Sequence, residues 1–144
     1  MTKPAPPSVP QEEYVLAILR AARRLELEGD RLFQPHGLTV AQFNVLNLLH
    51  HYQPMPQADL VHALVVGKAT VSSLLAGLLK RRLVIQIPDS RDRRANTLQL
   101  SKEGTILWQA ASRDYVQGLR KRLPKVRIAE VHSLRKALSL FSID

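Results

Sequence analysis

No cysteine occurs anywhere in this 144-residue sequence, which removes disulfides, thiolate metal sites and thiol-based redox sensing from its chemistry. Methionine is almost as scarce, and neither Met1 nor Met55 is a good sensor for peroxide or hypochlorite. No apolar run approaches the roughly 18 to 20 residues that a membrane-spanning helix requires. The first residues also lack the apolar core of a signal peptide, so a cytoplasmic protein with no membrane partner is expected. Enzyme signatures are missing too: there is no phosphate-cradling glycine loop, no nucleophile motif and no metal-ligand spacing. His50 and His51 are adjacent and point to different helix faces, while His36, His62 and His132 are scattered. The expectation is a protein that is not an enzyme and holds no cofactor and no metal.

Positive charge is what the chain has in excess. The net charge is +9 with a pI near 10.5, which suggests a polyanionic partner without separating DNA from RNA or a membrane surface. Its distribution says more. Residues 1–31 are balanced and 32–60 carry only Asp59, whereas 61–100 and 101–144 each have five more basic than acidic groups.

The stretch from Gly67 to Leu100 organises the rest. Val71, Leu74, Leu75, Leu78 and Leu79 recur at offsets of one apolar stripe on a helix of 3.6 residues per turn. The opposite face begins with Lys68, Thr70, Ser72 and Ser73, short side chains that permit close approach to another surface, and it ends in Lys80, Arg81 and Arg82. An apolar run, Leu83 to Ile87, then a charged turn and a second strand-like segment ending at Leu100 predict a β-hairpin. Its tip carries Arg91, Arg93 and Arg94, and arginine suits both phosphate and a narrow minor groove. Helix and hairpin would face one polyanion; taken alone, the same residues also fit an ordinary solvated basic loop.

Four prolines within the first ten residues make 1–11 a flexible arm. From about Glu12 to Phe33, Val15, Ile18, Leu19, Ala22, Leu25 and Leu32 follow mostly helical spacing, with Glu12 and Glu13 where a helix N-terminus favours negative charge. Pro35 and Gly37 break this helix and Thr39 can cap the next, a short one buried over a wide arc. Pro56 opens a further helix that meets the central one near Val66 and Gly67, a helix-turn-helix. Beyond the hairpin Ser101 can cap a helix bearing Trp108, Ala111, Tyr115 and Leu119, and Pro124 is placed to start the last one. In that helix Ile128, Val131, Leu134, Leu138 and Phe141 step by 3, 3, 4 and 3 residues, close to a coiled-coil seam. A seam needs a partner surface; dimerisation explains it, with packing inside the chain as the alternative. The expected organisation is an arm (1–11), a dimerisation helix (12–37), a central lobe of helix-turn-helix and hairpin facing the polyanion (38–100) and C-terminal dimerisation helices (101–144).

This order of elements, together with "ATVSS", "LVIQ" and "DSRDRRANTLQLSKEG", resembles the MarR family of winged-helix transcriptional regulators over about residues 12 to 141. Asp89, Asp92, Arg93, Arg94, Leu98, Leu100 and Gly104 fall at the family's spacing. The resemblance implies a mainly α fold of about six helices with a two-stranded β-wing. It also implies a homodimer joined through its first and last two helices, with one recognition helix per subunit in consecutive major grooves. The function implied is a sequence-specific regulator, most often a repressor, that binds double-stranded DNA at a pseudo-palindromic operator and releases it when a small aromatic or carboxylate effector binds. Base-facing positions would be Lys68, Ala69, Thr70, Ser72 and Ser73; Arg93 and Arg94 would enter the minor groove, with Asp92 orienting them. By family position, helices one, two and five would line the effector pocket, nominating Phe33, His36, Phe43, His50 and Trp108. The chain departs from the family where a frequent arginine is Ser73 and where common glycines are Val65 and Arg82, the latter at a position that favours positive φ. A basic architectural or RNA-binding protein without sequence readout is the alternative function.

Overall fold

Thr39 ends the first break in the chain. Its hydroxyl accepts the N–H of Gln42 at 3.1 Å while the Gln42 side chain accepts the N–H of Thr39 at 3.1 Å, a reciprocal cap that starts α2 (Val40–Tyr52). The computed structural model describes residues 9–89 and 96–141. Before that cap runs α1 (Gln11–Phe33), whose helical start takes in the last residue of the expected arm, then a 3-10 turn (Gln34–His36) closed by Gly37 at φ 64°. The left-handed backbone at Gly37 is one reason a glycine stands there. Asp30, near the end of α1, accepts the N–H of Val40 at 2.8 Å, so a carboxylate of one helix satisfies the N-terminus of the next.

The helix-turn-helix consists of α3 (Gln57–Leu64) and α4 (Lys68–Lys80), bent by 116° at their junction. Val65 adopts φ 54° in the turn and Arg82 adopts φ 56° after α4. Both therefore hold the left-handed backbone at the positions where the resemblance put glycine. Next come β2 (Val84–Pro88) and β3 (Asn96–Leu100), antiparallel from Val84↔Leu100 to Pro88↔Asn96. The sheet is not limited to these two strands. A two-residue strand, β1 (Met55–Pro56), pairs with the other edge of β3 and gives the order β1-β3-β2.

Ser101 accepts the Gly104 N–H at 2.9 Å and begins α5 (Lys102–Arg122). The same hydroxyl donates to the Arg82 carbonyl at 2.7 Å and closes the hairpin base onto this helix. The final helix, α6 (Ile128–Ser139), does not start at Pro124 as the sequence suggests. Proline's fixed φ suits extended backbone as well as a first helical turn, and helix begins only where the Glu130 carboxylate reaches back to the Arg127 N–H at 2.9 Å.

Among the described residues every buried hydrophobic side chain lies between Phe33 and Ala111. Leu46, Leu49, Leu60, Val71, Leu78, Val84 and Leu98 form one cluster joining α2, α3, α4 and the sheet. None of α6 is buried, and Ile128, Val131, Leu134, Leu138 and Phe141 are all exposed, as are Val15, Leu16, Leu19 and Leu25 on α1.

Candidate nucleic-acid interface

The outward face of α4 follows from its period. Val71, Leu75 and Leu78 are buried, and the 100° step between residues turns Lys68, Ala69, Thr70, Ser72 and Ser73 outward, all exposed. These five residues share one surface. Gly67, the N-cap, supplies no side-chain cap, which leaves the first-turn N–H groups and the positive end of the helix dipole open beside Lys68. One support was not evident in the sequence: the Gln57 amide donates to the Ser72 hydroxyl oxygen at 2.8 Å, tying the start of α3 to the outward face of α4. Its only local signal is a polar side chain placed directly after Pro56.

The other end of α4 is tied down. Arg81 donates one guanidinium N–H to the Gly37 carbonyl at 2.6 Å and another to the His36 carbonyl at 3.3 Å. Pairing across 44 residues leaves no trace in local sequence pattern. Arg91, Arg93 and Arg94, nominated for DNA contact, and Asp92, nominated to orient the wing arginines, lie outside the described residues.

The side chains nominated for an effector pocket fall into separate groups. Phe33 and Phe43 stack at 4.2 Å, with Tyr115 stacked on Phe33 at 4.7 Å, and both phenylalanines are buried in the core. His36 pairs with Asp114 of α5 at 2.9 Å. His50 lies flat on Trp108 with ring centroids 3.4 Å apart, and the Trp108 indole N–H donates to Asn47 at 3.1 Å. Burial, reinforced by the neighbouring His51, lowers the pKa of His50. These rings are filled by one another, and none of the five nominated residues lines the cavity found between α1 and α4.

That cavity, of about 450 Å³, is bounded by Arg23 and Glu26 of α1, Asn44 of α2, Leu64 and Val66 around the helix-turn-helix junction, and Thr70 and Leu74 of α4. Thr70 thus belongs to the outward face and to the cavity rim. Among the described residues no three His, Asp or Glu side chains gather as a metal site would require, and no single helix is long and apolar enough to cross a membrane.

Residues 36–95 match the sequence model of the MarR family. The chain is 37% identical over 73 residues to the transcriptional repressor NicR of Pseudomonas putida, covering 51% of this chain and 46% of NicR. It is 26% identical over 103 residues to the transcriptional activatory protein BadR of Rhodopseudomonas palustris, covering 69% and 59%. The chain therefore spans less than two thirds of these curated relatives. Among solved structures, Bordetella bronchiseptica BpsR, described for regulation of its DNA binding by 6-hydroxynicotinic acid, superposes with a TM-score of 0.82 at 24% identity over 96% of this chain and 100% of BpsR. Staphylococcus aureus MepR in complex with DNA gives 0.79 at 21% identity, covering 89% and 95%. At these identities the likeness is one of fold: mainly α, with six helices and a small antiparallel sheet.

Proposed function

The chain belongs to the MarR family of winged helix-turn-helix transcriptional regulators, and on that premise we propose that it is a homodimeric, sequence-specific DNA-binding repressor that leaves a pseudo-palindromic operator when a small aromatic carboxylate binds. The observation that carries this reading is the outward face of α4, where Lys68, Ala69, Thr70, Ser72 and Ser73 stand exposed at an uncapped helix N-terminus. Small side chains let the helix backbone approach base edges, and hydroxyl, ammonium and methyl groups are the types that read them. Arg93 and Arg94 add minor-groove contacts and Asp92 orients them by charge-assisted hydrogen bonds. Such a protein works where the chromosome is, in the cytoplasm.

A second copy of the chain is the natural cover for the exposed stripes of α1 and α6. Dimerisation helices on either side of a lobe spanning 38–100 would hold two reading heads about one helical turn apart, roughly 34 Å. Support for repression comes from the likeness to NicR, and support for an aromatic carboxylate signal from the likeness to BpsR.

Selection of duplexes from a random pool, followed by footprinting, tests the reading. The expected result is an inverted repeat with protections phased by about 10 bp. Equal affinity for selected and random duplex at physiological salt would favour the architectural alternative instead. Arg94→Ala should weaken operator binding and reduce the salt slope by about one unit; an unchanged slope would remove Arg94 from the interface.

A further inference from the structure

Three hydroxyls stand on the outward face of α4, those of Thr70, Ser72 and Ser73. A free hydroxyl rotates and can donate or accept, so by itself it reads either kind of base edge. Of the three, only Ser72 has a hydrogen-bond partner among the described residues, the Gln57 amide N–H at 2.8 Å. Ser133 of α6 shows the ordinary habit of a helical serine, its hydroxyl donating back to the Ala129 carbonyl at 3.0 Å. Ser72 makes no such return bond among the described residues, and its proton is left to point away from the helix.

We propose that Gln57 is a positioning residue for base readout: by donating to Ser72 it makes that hydroxyl an outward donor, which selects an acceptor-bearing base at one pair of each half-site. The inference deepens the DNA-reading function above and rests on it. The amide occupies one lone pair of the Ser72 oxygen, and accepting that bond polarises the O–H, strengthening it as a donor and weakening the oxygen as a second acceptor. In the major groove guanine O6 and N7 and thymine O4 accept, whereas the cytosine N4 amino group donates. A hydroxyl held as a donor therefore favours guanine or thymine over cytosine. Gln57 is built to hold it. It is half-buried and opens α3 directly after Pro56, which the sheet pairs with Thr97. Its backbone is thus fixed from the sheet side while its side chain reaches a residue 15 positions later. Ser72 itself is exposed, so its proton can meet a duplex.

The test is a base-preference matrix for the full chain, obtained by selection from a random duplex pool and direct Kd measurement on single-pair variants of the selected site. For the wild type, one pair per half-site should prefer guanine or thymine over cytosine by about fivefold, the worth of one hydrogen bond. Ser72→Ala and Gln57→Leu should each relax that pair to less than about twofold and leave the other pairs alone, and combining them should add nothing further. Gln57→Glu carries the sharper prediction. Its carboxylate can only accept, so it takes the Ser72 proton, turns the oxygen lone pairs outward and shifts the preference toward cytosine. A glutamate also suits the first turn of α3, so this variant keeps the fold, as circular dichroism would verify. Because the readout is a ratio between bases, any uniform loss of affinity from the added charge cancels. A matrix that neither Gln57 variant alters overturns the inference, as does a preference that survives Ser72→Ala. So does a loss spread evenly over all pairs with a smaller salt slope, which would make Gln57 a phosphate contact. Each of these leaves sequence reading by α4 intact, whereas a wild-type chain that selects no sequence overturns that function and the inference with it.

Discussion

The central lobe and the terminal helices are built on opposite terms. Between Phe33 and Ala111 the apolar side chains find one another, and Leu46, Leu49, Leu60 and Leu78 are fully buried. In α6 the same kinds of residue follow an equally regular spacing, yet none is buried. The lobe can specify its own structure, whereas the terminal helices carry apolar surface whose burial requires something outside the chain. Sequence period alone says that a face exists; only burial says whether the chain itself supplies the cover.

The largest expected contrast follows directly. Leu46→Ala should cost about 3 to 4 kcal/mol, whereas Leu138→Ala, measured by urea denaturation at concentrations that keep the chain monomeric, should cost well under about 1 kcal/mol. Similar losses would mean that α6 packs onto the lobe in solution. Next comes Gly104→Ala. Its Cβ would sit 2.0 Å from the Leu83 carbonyl oxygen, a backbone atom fixed by the hairpin base, so a loss of about 3 kcal/mol is expected. Gly118→Ala would meet the Leu32 methyl at 2.3 Å, but a side-chain end can turn aside and the cost should be less than half as large. Equal penalties would show that the α1–α5 contact is as rigid as the lobe.

A smaller effect concerns association. Leu134→Asp combined with Leu138→Asp should weaken the proposed dimer by at least about thirtyfold, about 2 kcal/mol, in sedimentation equilibrium, while the circular dichroism of the lobe persists. A dimer unaffected by both charges would mean that another surface joins the subunits. Arg82→Gly should stabilise the lobe by about 1 kcal/mol, because φ 56° costs an L side chain that glycine avoids; a lower thermal midpoint would show that the Arg82 side chain contributes more than its backbone loses. Least of all, His50 should make stability fall slightly on acidification. Its folded-state pKa lies below the ordinary value, so the stability it contributes is complete above about pH 6.5 and is lost as pH falls toward the folded pKa. His50→Gln should flatten that part of the profile.

What the sequence made legible is mostly local. The Thr39 cap and the Ser101 cap need only residues within three positions, and the amphipathic spacing of α4 needs only thirteen. Features that depend on distant partners were hidden: β1 has two residues and pairs with a strand some forty positions later, and the Arg81 bonds to Gly37 and His36 span a similar separation. Pro124 misled because its φ serves helix and extended chain alike. The aromatic residues are nominated for a pocket by family position alone, and their mutual stacking is not legible in the sequence, since ring contacts between α1, α2 and α5 obey no sequence period. The wing arginines, the plainest motif, lie outside the described residues.

The Arg81 anchorage fixes the C-terminal end of α4 to the loop after α1, while its N-terminal half is held through α3 by the Gln57–Ser72 side-chain bond. With the guanidinium fastened to the loop after α1, the helix behaves as a lever whose pivot sits at its C-terminus. Over its 13 residues, about 20 Å of helix, a rotation of about 5° sweeps the Lys68 end sideways by about 1.7 Å, more than a hydrogen bond to a base tolerates. A minor repacking near Leu74 would thereby be magnified at the tip, where a shift too small to disturb the core would be enough to lose the proposed register with DNA.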